Sequence, residues 1–288
     1  MRVHLVDGTF ELFRAHFSPR PDRPQKATVG LVGSMLALLS DPDEAVTHLA
    51  IAFDNPIVSF RNELFDAYKS DEGVPAVLRE QFDLAEAAMR ALGIVVWSMN
   101  QYEADDALAT GAVRFAKSPG VDQVRIMTPD KDLGQVVDGK RVVQVDRMRR
   151  KVIDEDAVRA VRGVGPASVP DLLALVGDTS DGIPGLPGFG AKSAAAVLAR
   201  WSTVEAIPDD PARWEVKVSG APRLAATLAA HRDDAILYKK LATLVRDVPL
   251  AESLADLEHK GVPRAAFGKL LAELRATDLE RRPSRWLD

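Results

Sequence analysis

Residues 2–8 read RVHLVDG, a short apolar run with two valines that ends at an aspartate and a glycine. Apolar runs of similar length and composition recur at residues 46–53, 94–97 and 124–127. Between these runs, apolar residues have helical spacing at residues 29–40, 77–92 and 104–117. This alternation is typical of a mostly parallel central sheet with flanking helices. The sequence therefore predicts an α/β fold for the first part of the chain.

The second part of the chain has a different pattern. Beyond Asp154 we expect no strands, and the apolar spacing predicts helices at residues 169–176, 191–201, 224–230 and 235–245. We therefore predict two domains, an α/β domain over residues 1–153 and a helical part over residues 154–288.

The composition excludes several functional classes. The 288 residues include no cysteine, which excludes disulfides, thiolate zinc sites and cysteine nucleophiles. Asp7 and Glu11 interrupt the N-terminal apolar run, and no later run approaches the length of a membrane span, so we expect a cytoplasmic protein. The formal net charge of −5 is unusual for a nucleic-acid-binding protein. Acidic residues that hold divalent cations are neutralised, however, so the net charge does little to exclude nucleic-acid binding.

Four aspartates fall at the ends of predicted strands, namely Asp7, Asp54, Asp130 and Asp132. The carboxyl ends of parallel strands meet at one edge of a sheet, where ligands of open α/β folds bind. We therefore expect these carboxylates to converge. Taken singly, each aspartate is more often a turn residue, so the prediction depends on their joint occurrence.

Two further groups of acids strengthen this interpretation. The segment YEADD places three acids in the first turn of a predicted helix, Glu103, Asp105 and Asp106, and GDTSDG supplies Asp178 and Asp181. Caps and Asp-Gly turns are the alternative explanations. Clustered carboxylates stay ionised only if cations lie between them. Because the ligands are oxygens and no histidine has metal-site spacing, we predict Mg²⁺ or Mn²⁺ rather than zinc.

Two such cations suit phosphodiester hydrolysis, in which they activate the attacking water and shield the developing charge. The sequence contains no phosphate-binding GxxxxGK[ST] loop, no nucleophile elbow and no dinucleotide fingerprint, which disfavours kinases, serine hydrolases and dehydrogenases.

Two segments could bind nucleic acid. Residues 185–201, GLPGFGAKSAAAVLARW, place Gly188, Gly190 and Lys192 at the start of a helix, as in a helix-hairpin-helix motif over residues 183–200. A tight turn between helices is the alternative. The segment FRNELFDAYK contains three candidate phosphate or DNA contacts, Arg61, Tyr68 and Lys69, although charge in such a loop is often simply solvated.

In order along the chain, VDG, FD, SFRNELFDAYK, YEADD, TPDKDL and GDTSDGIPGLPGFGAKSA resemble the motifs of the 5' nuclease family, which includes flap endonucleases. The resemblance extends to about residue 250 and is strongest to the N-terminal 5' nuclease domain of bacterial DNA polymerase I and its stand-alone relatives. It implies a PIN-like fold with a helical arch around residues 56–82. It also implies a structure-selective, divalent-metal-dependent 5'-3' exonuclease and flap endonuclease. Since 288 residues leave no room for a polymerase, we expect a stand-alone form.

The resemblance also assigns roles to residues. One metal ion would be held by Asp7, Asp54 and Asp105. The second would be held by Asp130, Asp132 and Asp181, with help from Asp105. Binding through water would involve Glu103, Asp106 and Asp178. Lys69 corresponds to an arch lysine that acts on the scissile phosphate, and Arg14 to a basic residue near the substrate 5' end. The hairpin with Gly188, Gly190 and Lys192 would bind duplex DNA, with K⁺ at its carbonyls.

One segment departs from the family pattern. After Lys69 the family usually continues with basic residues, whereas this chain has Ser70, Asp71 and Glu72 before Arg79. An acidic arch should repel a single-stranded flap, so we expect a weaker preference for long flaps, with Arg79 as the substitute cation.

The expected partners of a monomeric protein are DNA with 5' flaps, 5' ends or branches, and RNA–DNA primer hybrids, in replication, repair or primer removal. Two alternatives stay open: a non-catalytic structure-specific DNA-binding protein, and an RNA-cutting nuclease of similar fold.

Overall fold

Strands and helices alternate through the first part of the computed structural model, which describes residues 1–19 and 21–288. The elements are β1 (Arg2–Asp7), α1 (Gly8–His16), α2 (Lys26–Leu39), β2 (His48–Asp54), α3 (Arg61–Leu64), α4 (Ala76–Arg79), α5 (Phe82–Ala91), β3 (Val95–Met99), α6 (Ala104–Phe115) and β4 (Gln123–Met127). The remaining elements are β5 (Val142–Asp146), β6 (Lys151–Ile153), α7 (Glu155–Arg162), α8 (Val169–Val176), α9 (Ala191–Trp201), α10 (Ala221–Ala230), α11 (Arg232–Ala242), β7 (Val262–Pro263), α12 (Arg264–Leu274) and β8 (Trp286–Leu287).

These elements form two units, each assembled from separate stretches of sequence. Unit 1 contains residues 1–58, 71–128 and 246–288, and unit 2 contains residues 59–70 and 129–245. The grouping differs from the predicted division at residues 153 and 154, because residues 129–153 belong with the helices of unit 2 and residues 246–288 return to unit 1.

The sheet of unit 1 positions two of the predicted carboxylates. Its strands lie in the order β3-β2-β1-β4 and are parallel throughout. Asp7 is the last residue of β1 and is paired with Ala52, and Asp54 is the last residue of β2 and is paired with Met99. The interiors of β1 and β2 are buried and, apart from His4, apolar, as expected for parallel strands covered on both faces. The predicted α/β fold with a mostly parallel sheet is confirmed.

The last stretch of unit 1 is anchored along its length. The Val248 N–H donates to Thr110 Oγ1 at 3.1 Å, and Trp97 Nε1 donates to Glu252 Oε2 at 3.0 Å. Further on, β7 and β8 form a short parallel pair. The expectation that strands stop at Asp154 is therefore wrong for these two short strands, whose pairing partners lie too far apart in sequence for a local pattern to reveal.

Unit 2 combines the antiparallel hairpin of β5 and β6 with helices α7 to α11. Its helices pack around an apolar cluster in which Trp214 is fully buried, with Leu175, Leu198 and Leu228. Both α8 and α9 have the predicted bounds. The predicted helical C-terminal part is confirmed. Within residues 1–19 and 21–288, no helix has the length and apolar character needed to span a membrane.

Candidate metal centre

Asp7 connects the end of β1 to the start of α1. Its Oδ1 accepts a hydrogen bond from the Phe10 N–H at 2.8 Å, which caps α1, and its Oδ2 accepts one from Thr128 Oγ1 at 2.9 Å. The following residue must be glycine, because a Cβ at Gly8 would lie 2.6 Å from the ring of Phe53. The local sequence therefore fixes the position of this carboxylate at the sheet edge.

Asp54 lies where β2 meets the start of α6. Its Oδ1 accepts a hydrogen bond from the Ala104 N–H at 2.8 Å, and its own N–H donates to Thr9 Oγ1 at 2.8 Å. The positive end of the α6 dipole therefore faces this carboxylate.

The three acids at the start of α6 differ in their surroundings. Glu103 and Asp106 form a reciprocal capping box, in which Asp106 Oδ2 accepts the Glu103 N–H at 3.0 Å, and both are buried. Asp105 lies between them in sequence and is partly exposed. The capping explanation therefore applies to Glu103 and Asp106, and it does not conflict with binding a cation through water.

In unit 2, three buried aspartates form a compact group, Asp132, Asp178 and Asp181. One carboxylate oxygen from each lies within 4.8 Å of the others. Asp178 and Asp181 lie in the loop between α8 and α9, where Asp178 and Ile183 exchange two backbone hydrogen bonds of 2.8 Å. Asp130 is connected to this group because its Oδ1 accepts the Asp132 N–H at 2.9 Å. The structure thus brings Asp132 together with Asp178 and Asp181, whereas the expected convergence of Asp130 and Asp132 with Asp7 and Asp54 stays a prediction.

Two lysines contact this group. Lys69 Nζ lies 3.0 Å from Asp181 Oδ1, and the Lys69 N–H donates to the Asp181 carbonyl at 3.1 Å. Lys131 forms an ion pair with Asp178 and lies 3.3 Å from Ser180 Oγ. The loop approaches residues 59–70 so closely that a Cβ at Gly182 would lie 2.1 Å from the Ala67 carbonyl oxygen, which requires glycine there.

The pKa values follow from burial and from these charges. Burial raises the pKa of Asp132 well above its ordinary value, and the carboxylates of Asp130, Asp181 and Asp178 raise it further. Burial also raises the pKa of Asp130. Burial acts in the same direction on Asp178, but hydrogen bonds from Lys131 and Ser180 outweigh it and lower the pKa. Without a cation, these surroundings therefore disfavour the ionised form of Asp132.

The group fits a hard divalent cation. Asp132 Oδ1 is buried and has no hydrogen-bond partner among the residues that the structure describes. The three convergent donors are all carboxylate oxygens, which Mg²⁺, Mn²⁺ and Ca²⁺ prefer. An unpartnered buried oxygen beside two other carboxylates is energetically costly unless a cation is bound to it.

Four contacting residues were not predicted, namely Thr9, Thr128, Lys131 and Ser180. Thr9 follows the VDG motif, and Lys131 lies between Asp130 and Asp132, so their positions beside predicted ligands were a usable signal. Thr128 and Ser180 had a weaker signal, because a hydroxyl beside a predicted ligand is common in turns.

Two predicted DNA contacts are buried instead. Arg61 is fully buried, and its guanidinium donates to the Leu241 carbonyl at 2.8 Å and to the Thr243 carbonyl at 3.1 Å. Tyr68 is 4% exposed and packs in an apolar cluster with Val137 and other residues. Both side chains are committed to the interior of unit 2, so we do not retain them as DNA contacts.

The predicted contacts Arg14 and Arg79 each pair with an acid. Arg14 forms an ion pair with the buried Glu11 and donates to Ser34 Oγ at 3.0 Å. Arg79 Nε lies 3.2 Å from Asp71 Oδ2, and its Nη2 donates to the Asp71 carbonyl at 2.9 Å. The pair partly neutralises the acidic charge that follows Lys69.

The predicted hairpin falls on the loop between α8 and α9 and on the start of α9. Gly188 has φ of +88°, which favours glycine, and Gly190 directly precedes α9. Ser193 Oγ accepts the Gly190 N–H at 3.0 Å, and the first turn of α9 contains no acid. Gly188, Gly190 and Lys192 are exposed. A phosphate contact and K⁺ binding at this loop stay predictions.

Family models match most of the chain. Residues 2–163 match the model described as 5'-3' exonuclease, N-terminal resolvase-like domain, and residues 164–265 match the model described as 5'-3' exonuclease, C-terminal SAM fold.

Curated relatives are DNA polymerases. DNA polymerase I of Bacillus caldotenax is 35% identical over 282 residues, which cover 95% of this chain and 31% of that protein. DNA polymerase I of Pseudomonas aeruginosa is 35% identical over 286 residues, which cover 94% of this chain and 30% of that protein. The chain thus spans about a third of the length of these relatives.

Solved structures share the fold. A structure of T5 5'-exonuclease with divalent metal ions (zinc) bound has a TM-score of 0.67 and 18% identity, covering 96% of this chain and 98% of that one. The catalytic core of Rad2 in complex with DNA substrate has a TM-score of 0.61 and 14% identity, covering 96% and 90%.

Proposed function

The chain belongs to the 5'-3' exonuclease family, and from this premise we propose that it is a divalent-metal-dependent nuclease that hydrolyses DNA phosphodiester bonds at 5' ends and 5' flaps. One observation of the structure carries the proposal. Asp132, Asp178 and Asp181 bring three buried carboxylate oxygens within 4.8 Å of one another, as a divalent cation requires.

The ion that we propose is Mg²⁺ or Mn²⁺. Bound cations of this kind lower the pKa of an attacking water and shield the charge that develops on the phosphate. In unit 2 the ligands would be Asp130, Asp132 and Asp181, with Asp178 acting through water. The T5 5'-exonuclease structure holds divalent ions, which supports a cation requirement in this fold.

Unit 1 would contribute its own ligands. Asp7 and Asp54 accept backbone and hydroxyl hydrogen bonds that fix their orientation, and Asp105 is a partly exposed acid in the first turn of α6. Glu103 and Asp106 would bind through water while they cap α6. Such supporting hydrogen bonds are typical of the residues around metal ligands.

DNA would be held by neutral and cationic groups. Lys69, whose side chain is 25% exposed, would bind an oxygen of the scissile phosphate. Arg14 would contact the substrate near its 5' end, and the hairpin at Gly188 and Gly190 would bind the duplex backbone through N–H groups, with Lys192 beside them. The Rad2 core was solved with DNA substrate, which supports DNA as the ligand of this fold.

Several finer points belong to the same proposal. Arg79 pairs with Asp71, so the segment after Lys69 presents little net positive charge, and we expect a weak preference for long flaps. We also propose K⁺ at the hairpin, action as a monomer, and a role in replication, repair or primer removal.

Cleavage of a 5'-labelled flap duplex tests the proposal. Reactions with Mg²⁺, Mn²⁺ or a chelator would compare the native protein with Asp132→Asn, and with Asp233→Asn, which removes an exposed carboxylate of α11, as the matched control. We expect metal-dependent cutting that Asp132→Asn reduces by at least about a thousandfold and that the control retains.

The same assay separates the alternatives. Binding without cutting under every metal would favour a non-catalytic DNA-binding protein. Preferential cutting of a matched RNA substrate would favour an RNA-cutting nuclease.

A further inference from the structure

The turn between β5 and β6 concentrates positive charge in an acidic protein. Residues 146–151 read DRMRRK, with four basic residues and one acidic residue, whereas the whole chain has a net charge of −5. Met148, Arg149, Arg150 and Lys151 are exposed, and the Arg149 side chain is 75% exposed. Such a local cationic surface attracts polyanions even when the net charge of the protein is negative.

The turn has a defined conformation. Asp146 is buried, and its Oδ1 accepts the N–H groups of Met148 and Arg149 at 3.0 Å each. Its Oδ2 accepts a hydrogen bond from Arg149 Nη1 at 2.9 Å. Arg150 has φ of +51°, and the backbones of Lys151 and Asp146 lie opposite each other in the antiparallel register of β5 and β6. The Asp146 carboxylate therefore makes its hydrogen bonds within the turn, and these bonds fix the backbone from which the basic side chains extend.

A cleft of about 350 Å³ lies between this hairpin and α7. Four of its lining residues are basic, namely Lys131, Arg149, Lys151 and Arg162. One of its walls is the segment that contains the candidate metal ligands, since Arg162 Nη2 donates to the Lys131 carbonyl at 2.7 Å and Gln144 Nε2 donates to the Asp130 carbonyl at 2.5 Å. Within unit 2, the cleft therefore borders the segment that contains Asp130 and Asp132.

The apolar part of this surface indicates which portion of a nucleic acid would bind. Met148, Val152 and Val161 are 55%, 46% and 73% exposed. Among the described residues that line the cleft, none is aromatic, so it offers no platform on which bases could stack. Basic groups beside small apolar side chains suit phosphates and sugars, which are bound without regard to base sequence.

We propose that a basic hairpin surface, formed by Arg149, Arg150, Lys151 and Arg162, binds the sugar–phosphate backbone of duplex DNA. The inference rests on the proposed function and adds to it a second contact region, distinct from the hairpin between α8 and α9. It positions the duplex against unit 2 and takes no part in the hydrolysis itself.

The test removes two charges and keeps the fold. In the variant Arg150→Asn/Lys151→Thr, asparagine suits the left-handed position and threonine suits the strand. The control Arg281→Ser/Arg285→Ser removes the same charge from exposed residues of unit 1. Fluorescence anisotropy with a labelled blunt duplex in EDTA, between about 50 and 200 mM salt, measures affinity and its salt dependence.

We expect the variant to bind duplex about three- to tenfold more weakly than the control, with a slope of log affinity against log salt that is smaller by about one to two. In cleavage assays its KM should rise while kcat is unchanged. Equal affinity and equal slope for variant and control would overturn the inference, even if the native protein binds and cuts DNA. A native protein that binds no duplex would overturn the proposed function as well.

Discussion

The carboxylates of unit 1 and unit 2 have different supports. In unit 1, Asp7 and Asp54 accept hydrogen bonds from backbone N–H groups and, for Asp7, from a threonine hydroxyl. In unit 2, Asp178 and Asp181 pair with lysine ammonium groups, and Asp132 has one oxygen without a hydrogen-bond partner within residues 1–19 and 21–288. The first carboxylates also serve as caps within the fold, whereas the second form a concentration of negative charge that needs cations.

This difference indicates how each group depends on metal. Hydrogen bonds from neutral donors orient a carboxylate but leave its charge available to a cation. An ammonium group neutralises a carboxylate and can compete with a cation for it. We therefore expect substitutions in unit 1 to affect the fold and the orientation of ligands, and substitutions in unit 2 to affect charge balance.

The largest effect in this comparison is expected from Thr128→Val. Loss of the hydroxyl that orients Asp7 should weaken Mn²⁺ binding about 10- to 100-fold, which is typical of residues that support a metal ligand. Isothermal titration calorimetry measures this affinity. Ser180→Ala should weaken it less, because Lys131 also holds Asp178. A larger loss for Ser180→Ala would contradict the distinction between the two groups.

Stability without metal should change in opposite directions in the two units. Asp7→Ala removes the cap of α1 and should reduce the free energy of unfolding by about 1–2 kcal/mol. Asp132→Asn should increase it at pH 8, because a carboxyl whose folded pKa is raised destabilises the protein at every pH above its ordinary value. Urea denaturation in EDTA measures both. Added Mn²⁺ should stabilise the native protein more than Asp132→Asn, which keeps only the ion bound by the carboxylates of unit 1. Destabilisation by both substitutions would argue against an uncompensated Asp132.

The smallest effect concerns pH. Lys131 helps to hold the pKa of Asp178 below its ordinary value, and it also lowers the pKa of Asp132. In Lys131→Met both pKa values should rise, so protons should compete with the metal at higher pH. The pH at which Mn²⁺ binding is half lost should move upward by about one unit. Titrations between pH 4 and pH 8, with Lys140→Met as the control, measure this shift, and a downward shift would contradict it.

The sequence was informative where local pattern determines position. Asp7 and Asp54 follow apolar runs that form adjacent parallel strands, so the topology alone brings them to one edge. The helices at residues 169–176 and 191–201 begin and end as predicted, because their apolar spacing and flanking glycines are local signals. Asp178 and Asp181 were also candidates, since they lie three residues apart in the turn-forming segment GDTSDG.

Other features depend on residues that are distant in sequence. The local sequence around Arg61 is typical of a surface cation, yet the carbonyls that bind its guanidinium belong to Leu241 and Thr243. The hairpin of β5 and β6 was missed because β6 has only three residues and the turn before it is dominated by charge. The return of residues 246–288 to unit 1 depends on contacts with residues distant in sequence, such as the hydrogen bond from Trp97 to Glu252, for which no local pattern exists.

The most direct test of the account is the stoichiometry of Mn²⁺ binding by the native protein, Asp7→Asn and Asp132→Asn, measured by calorimetry in the absence of DNA. The account predicts at least two bound ions per native chain and the loss of one from each variant, because each group of carboxylates supplies its own ligands. Saturable binding that neither substitution changes would contradict the claim that these carboxylates form the metal centre.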